Sequence, residues 1–423
     1  MSRKTWSVVC LLLLLVLSGC LMPAWGRAQE DRTEEKILAV FYPHRQGPPT
    51  IEGITPGMKI DKSNFQVAHE VLPPEILKYL QAGDFAITVQ ETTDMPVRQE
   101  YMKATLEHYG KAELGDGELK NYVAGLPFPL IDPQDPRVGE KVVWNHRYRD
   151  QGETQQMWPT NELRNSSGAV ERAESFYVAS KWGMHRPDPT KNLPQKDGEG
   201  VFNKMYGRVL APADMEGSQM LFHSYDKDTL PRDQWMYDPG TRRIRKLVDN
   251  PYDSPGGGEV LQEDINGFDG YIHSYEWKYL GEKVVLAPGP IKTAEPTWGG
   301  RANWYPVDPW ELRRAVVVEG RPKGSHPLYS RRVLYVDLQT YGTLYMLTYD
   351  RQGNHKRTFF LVYLHPALKL GNNNEEWIPQ MAAEGTIDYQ RERASVFQTH
   401  KVVQNEPLED KMFNMGALMR QGK

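Results

Sequence analysis

Cys20 is the residue whose chemistry is best specified by its surroundings. Arg3 and Lys4 form a short positive start, Val8 to Leu17 is apolar throughout, and Leu17-Ser18-Gly19-Cys20 follows. A short apolar run this close to the N-terminus reads as a secretory signal and not as a spanning helix. A branched apolar residue, two small residues and a Cys at its end form the pattern at which exported bacterial lipoproteins are cleaved and acylated on the thiol. This predicts a signal peptide over 1–19 and a lipid on Cys20. The alternatives are ordinary cleavage after Gly26 or Ala28, or an uncleaved anchor. Cys10 and Cys20 are the only cysteines, so a chain cut before Cys20 has no disulfide, no cysteine zinc site and no thiol catalyst.

Other reactive constellations are missing. Pro255-Gly256-Gly257-Gly258 lacks the Lys-Ser/Thr and helix start of a phosphate loop. The 11 His residues form no His-Glu-x-x-His pair. Asp264 lies near Glu263 and Asp269 without the spacing of a calcium loop. There is no Gly-x-Ser-x-Gly elbow, and carboxylate pairs are unavoidable among 55 acids, so they argue for no hydrolase. The expectation is no metal, no cofactor and no catalysis. Two stretches stand out instead. Trp235 to Arg245 is a hairpin with aromatics on the incoming strand and bases on the outgoing one. Asp264, Phe268, Gly270, Tyr275, Trp277 and Leu280-Gly281 form the second.

The elements that must position these residues are mostly strands. Helical spacing appears at Phe65 to Leu72, at Pro74 to Gly83 with Pro at the start and Gly at the stop, and at Pro96 to Gly110. From Lys141 onward the pattern predicts strands at 141–149, 174–181, 204–210, 219–225, 234–237, 242–248, 271–279, 283–286, 315–319, 330–337, 343–349 and 356–363. Asp238-Pro239-Gly240-Thr241 and Asp350 to Asn354 supply hairpin turns. Residues 29–60 read as a charged, then Gly/Pro-rich tether, and 374–423 as irregular with one helix. The division is 1–19 signal, 20–52 lipidated tether, and 53–423 one large β-rich domain.

Composition agrees. With 39% apolar and 25% charged residues the 423-residue chain can build a core, and its mean hydropathy of −0.63 excludes a polytopic membrane protein. Its net charge is −4, and −6 once Arg3 and Lys4 are removed, which disfavours nucleic acid as a partner.

A family resemblance rests on motifs in order. Tyr122-x-x-Gly125-x-Pro127-Phe128-Pro129 precedes Asp132-x-x-Asp135-Pro136-x-x-Gly139-x-Lys141-x-x-Trp144-Asn145. Then come Trp235 to Arg245, Asp264 to Gly281, and Arg331-Arg332 through Asp337 to Asp350-Arg351-Gln352-Gly353. Together they resemble the bacterial family called domain of unknown function 1329. The hairpins, Trp-x-Tyr-x-Pro-Gly and the late turn are also similar to lipoprotein-sorting carriers of the Lol type.

That resemblance implies a mainly β fold: a large curved antiparallel sheet, an unclosed barrel, with a few helices over the concave face that holds acyl chains. The implied partners are a lipid, acyl chain or sterol, the membrane through Cys20, and an envelope exporter or outer-membrane protein. The implied location is periplasm-facing, on the outer membrane because Leu21 and not Asp follows Cys20, or alternatively free in the periplasm. Trp144, Phe222, Trp235, Tyr237 and Trp277 are the candidate groove wall, since their rings are apolar and their polar ends can reach a rim.

Overall fold

The computed structural model describes residues 24–420 except 46, 193–199, 255–257, 294 and 366–377. The acylation motif lies outside the described residues. Thirteen strands form one antiparallel sheet. In chain order they are β1 Thr154–Arg164, β2 Val170–Trp182, β3 Val201–Ala211, β4 Gln219–Tyr225, β5 Asp233–Asp238, β6 Arg243–Leu247, β7 Tyr275–Pro288, β8 Trp310–Pro322, β9 Arg331–Asp337, β10 Thr343–Tyr349, β11 His355–Leu364, β12 Gln380–Asp388 and β13 Arg393–Gln404.

The spatial order is β6-β5-β4-β3-β2-β1-β13-β12-β11-β10-β9-β8-β7. Each strand pairs with its sequence neighbour, and β1 pairs with β13, with Ala394 opposite Arg164 and Gln404 opposite Gln155. The one missing pairing is between β6 and β7. The sheet is therefore a continuous meander left open at a single seam, as the unclosed-barrel expectation required. Short turns explain the pairings across 165–169, 239–242, 338–342, 350–354 and 389–392, because short connections force adjacent strands antiparallel, while β2–β3, β7–β8 and β11–β12 pair across longer connections.

Among the described residues five α-helices accompany the sheet. Helix α1 is Ala24–Phe41, α2 Pro74–Ala82, α3 Gln99–His108, α4 Val138–Arg147 and α5 Met415–Arg420. Pro at its start and Gly83 in the left-handed conformation (φ 84°) bound α2 as its residue types dictate. The central strands are buried on both faces. On one face Val317, Tyr335, Tyr345 and Phe360 pack against Ile76, Leu77 and Leu80 of α2. On the other, Val316, Leu334, Met346 and Phe359 pack against Tyr101 of α3 and Val142 and Val143 of α4. The helices thus divide between the faces, where the resemblance implied helices over the concave face alone.

Several elements depart from the sequence reading. Residues 141–149 were expected as a strand, from Val142-Val143-Trp144, but lie mainly in α4. That helix is buried along most of its length, with Glu140, Lys141 and Arg147 left half-exposed, and tertiary packing overrides strand propensity. Residues 65–72 form only a short 3₁₀ turn, Phe65–Ala68. Within the stretch read as tether, α1 buries Ile37 and Phe41, one turn apart, and Phe41 meets Tyr101 edge-on at 6.2 Å. The C-terminal stretch read as irregular holds β12 and β13. Strands 271–279 and 283–286 are one bent strand, β7, whose register shifts between Tyr279 and Gly281, where Gly281 takes φ 103°.

Candidate functional site: a strapped sheet with one open face

The chain must travel from β6 to β7, opposite edges of the sheet, and it does so as a strap over residues 248–274. It meets five successive strands, four through polar contacts and β10 through the close approach of Gly267. The Glu259 amide donates to Ser395 Oγ at 2.8 Å and the Glu259 carboxylate accepts from Arg357 at 3.0 Å. The Asn266 amide donates to Glu384 at 3.0 Å. A Cβ at Gly267 would stand 2.5 Å from Thr343, so only glycine permits that approach. Arg332, fully buried, pairs with Asp264 at 2.9 Å and with Glu263, and its guanidinium lies 4.9 Å over both Phe268 and Tyr275. His326 Nδ1 accepts from the Leu328 and Tyr329 amides, so Nε2–H donates to Glu263 at 2.7 Å.

Electrostatics follow from this dry clamp. Burial pushes the Glu263 carboxyl up, but Arg332, His326 and Tyr275 outweigh it and hold it below the usual carboxylate range. Glu384 has no cation beside it. Burial, with Asp264 adding repulsion, pushes it up to about 8, so it is neutral at pH 7. The second sequence stretch, Asp264 to Gly281, is thus the strap lock, and Arg332 is its counter-charge.

The strap, α1, α3 and α4 cover one face of the sheet over β7–β13. The same face continues onto β1–β5 with a different character. Register places Met157, Val178, Gly207, Met220 and Met236 in one row across five strands, ending at Arg245 on β6. The neighbouring row holds Met205 and Phe222. These side chains are half-buried, and nothing lies within 4 Å of the place a Gly207 Cβ would take. The opposite face of these strands is sealed: Ala179, Tyr206, Leu221 and Tyr237 pack under Phe413 and Leu418 of the C-terminal segment. One open apolar face, rich in methionine, remains. Methionine is unbranched and polarizable, so such a face adapts to irregular apolar partners.

The five aromatics expected along a groove do not share a surface. Trp144 is fully buried on α4, and its Nε1 donates to Glu140 at 3.3 Å. Trp277 packs edge-on against Phe268 at 5.0 Å beneath the strap. Gly139 of α4 meets the Trp277 backbone and Gly320 meets its ring, both closer than a Cβ allows. Trp235 and Tyr237 sit on the sealed face, where Lys246 lies 5.7 Å over the Trp235 ring. Phe222 alone of the five lies on the open face. The methionines were passed over because attention went to aromatic rings. Their signal was one methionine per strand on the same face: Met220 and Met236 fall opposite each other, and Met205 lies one row over, opposite Phe222.

One concavity is polar. It encloses about 400 Å³ among Arg98, Glu100, Lys103, Glu107, Glu153, Asp188 and Lys191. Among the described residues no group of three or more His, Cys, Asp or Glu side chains could hold a metal ion, and no helix is long and apolar enough to cross a membrane.

Comparison with known proteins adds a family. The chain is 28% identical over 253 residues to an uncharacterised protein of Pseudomonas aeruginosa, a match covering 56% of this chain and 53% of that one, so it spans about half the length of this curated relative. Among solved structures it is similar to a candidate outer membrane lipoprotein-sorting protein domain from Vibrio parahaemolyticus, at 19% identity and a TM-score of 0.48 over 68% of this chain and 100% of that one. A DUF1329 family protein from Desulfovibrio piger gives 18% and 0.47 over 68% and 99%. A LolA superfamily protein from Nitrosomonas europaea gives 15% and 0.39 over 64% and 94%. Residues 59–419, which hold all thirteen strands, match the family described as Protein of unknown function (DUF1329), and the chain belongs to that family.

Proposed function

We propose that this protein is a non-catalytic cell-envelope protein that binds a hydrophobic molecule on the open face of β1–β5. One observation carries the reading. The strap and helices cover this face of the sheet over β7–β13 and the C-terminal segment seals the reverse of β1–β5, yet the row from Met157 to Met236 stays half-exposed. An uncovered apolar face on a folded domain marks a binding surface. Four strand intervals of about 4.8 Å give the row a length of roughly 19 Å, enough for an extended acyl chain or a sterol. Phe222 keeps its place in the site, and the methionines replace the other four aromatics as its floor.

Export and anchoring rest on the sequence: signal cleavage before Cys20, a lipid on that thiol, and residence on the periplasmic side of the outer membrane. A titration with fluorescent acyl probes tests the binding. About one probe should bind per chain, with affinity rising by less than about 0.8 kcal/mol per methylene because the face is open and not a sheath. Phe222→Glu should weaken binding while circular dichroism stays that of a folded sheet. Absence of binding to the wild type ends this reading.

The openness of the face favours a second reading, a subunit that docks through it on an envelope exporter or outer-membrane protein. That reading predicts no probe binding and a co-purifying protein that Phe222→Glu releases.

A further inference from the structure

We infer that the cargo is a single anionic amphiphile, its apolar chain along the row from Met236 towards Met157 and its charged head at Arg243 and Arg245. This rests on the reading of the open face as a cargo site and adds the class of cargo. The register puts Arg245 opposite Met236 and Arg243 opposite Asp238, so both arginines project on the open face, at the end of the apolar row. Lys246, the residue after Arg245 and opposite Trp235, points to the sealed side and is satisfied there by Asp233 at 2.6 Å. The two arginines differ from it. Both are exposed, and neither has a carboxylate at salt-bridge distance among the described residues.

The acids nearby are already engaged. Asp238 accepts from the Gly240 amide at 2.8 Å and from Thr241 Oγ1 at 2.9 Å, closing its own turn. Asp249 accepts from Gln234 Nε2 at 2.6 Å and from Tyr271. Asp238 feels the Arg245 charge but forms no close ion pair with it, so two exposed guanidiniums beside an apolar row complement a molecule with one anionic end and one apolar end. The planar fork suits a carboxylate or a phosphate, which is the chemistry a fatty acid and a phospholipid share. Width argues for one lipid molecule and not a bilayer surface. Gln234, in the next row, is buried beneath Asp249 and Gln262 at the start of the strap, so the open strip is bounded on that side.

The test measures binding of palmitate, palmitoyl-lysophosphatidylglycerol and hexadecanol, each below its aggregation limit, to the purified protein. Wild type should bind the anions about tenfold or more tightly than the alcohol, as a charge-assisted hydrogen bond predicts. The preference should shrink at high salt, because the arginines are exposed. Arg243→Gln with Arg245→Gln should abolish the preference and leave hexadecanol binding unchanged; the positions are exposed, so the fold is unaffected. The tighter of the two anions identifies the head group. If wild type binds hexadecanol as tightly as the anions, or the double variant keeps the preference, the head-group assignment is overturned while the apolar site stands. If no probe binds, both fall. Flotation with phosphatidylglycerol vesicles without binding of monomeric lipid also overturns the inference.

Discussion

Replacing Glu384 by Gln should stabilise the protein, and by an amount that depends on pH in a defined way. Glu384 is buried at 3% exposure on β12, and one of its oxygens accepts from the Asn266 amide of the strap at 3.0 Å. Burial and Asp264 raise its carboxyl from 4.5 to about 8. A raised acid means that the folded state holds the proton more tightly than the unfolded chain. Below pH 4.5 both states are protonated and nothing is lost. Between pH 4.5 and 8 the unfolded chain ionises while the folded one does not, so stability falls as pH rises and levels off above 8. At about 1.4 kcal/mol per unit, the full span is worth roughly 5 kcal/mol as an upper limit. Glutamine keeps an acceptor for the Asn266 amide and has no charge to suppress. Urea unfolding of both proteins from pH 4 to pH 9 is the assay. The variant should match wild type near pH 4 and exceed it by a few kcal/mol at pH 8. A difference that does not change with pH would refute the reasoning.

Three further outcomes follow from the same structure. Arg332→Met leaves Glu263 and Asp264 buried without their counter-charge and should cost about 3–5 kcal/mol in urea unfolding, with faster amide exchange across the strap. Phe413→Ala opens the seal over Tyr206 and Leu221 and should cost about 3 kcal/mol, whereas Met415→Ala, at an exposed position, should cost under about 0.5 kcal/mol. Cys20→Ala should stop incorporation of labelled palmitate in an exporting bacterium and release the protein from the membrane fraction; absence of label in wild type would sink the acylation reading.

Much of the architecture was legible. Strand patterns such as 331–337 and 343–349 and the turns at Asp238 and Asp350 gave hairpins, and hairpins in series gave the meander. Three things were hidden, each for a physical reason. In helix α4 the run Val142-Val143-Trp144 reads as a strand on its own, and the half-exposed Glu140, Lys141 and Arg147 that give the helix its polar side lie outside that run. Strand β12 contains Ala382-Ala383-Glu384-Gly385, small residues around a buried acid, and neither is a strand signal; a Cβ on Gly385 would stand 2.4 Å from the Trp298 ring, which packs there. The pairing of β1 with β13 joins residues more than two hundred positions apart and leaves no local trace. Asp264, Phe268, Tyr275 and Arg332 lock the strap and line no groove. The open face was visible only as methionines in register, which requires the strand pairing before it can be seen.

The central claim is that apolar cargo lies on the strap-side face of β1–β5. Photolabelling with a diazirine-bearing fatty acid, followed by peptide mapping, tests it most directly. The account predicts cross-links at Met205, Met220, Phe222 and Met236, displaced by excess unlabelled palmitate. Saturable labelling confined to the polar concavity around Arg98 and Lys191, or to the sealed face at Trp235, would contradict it.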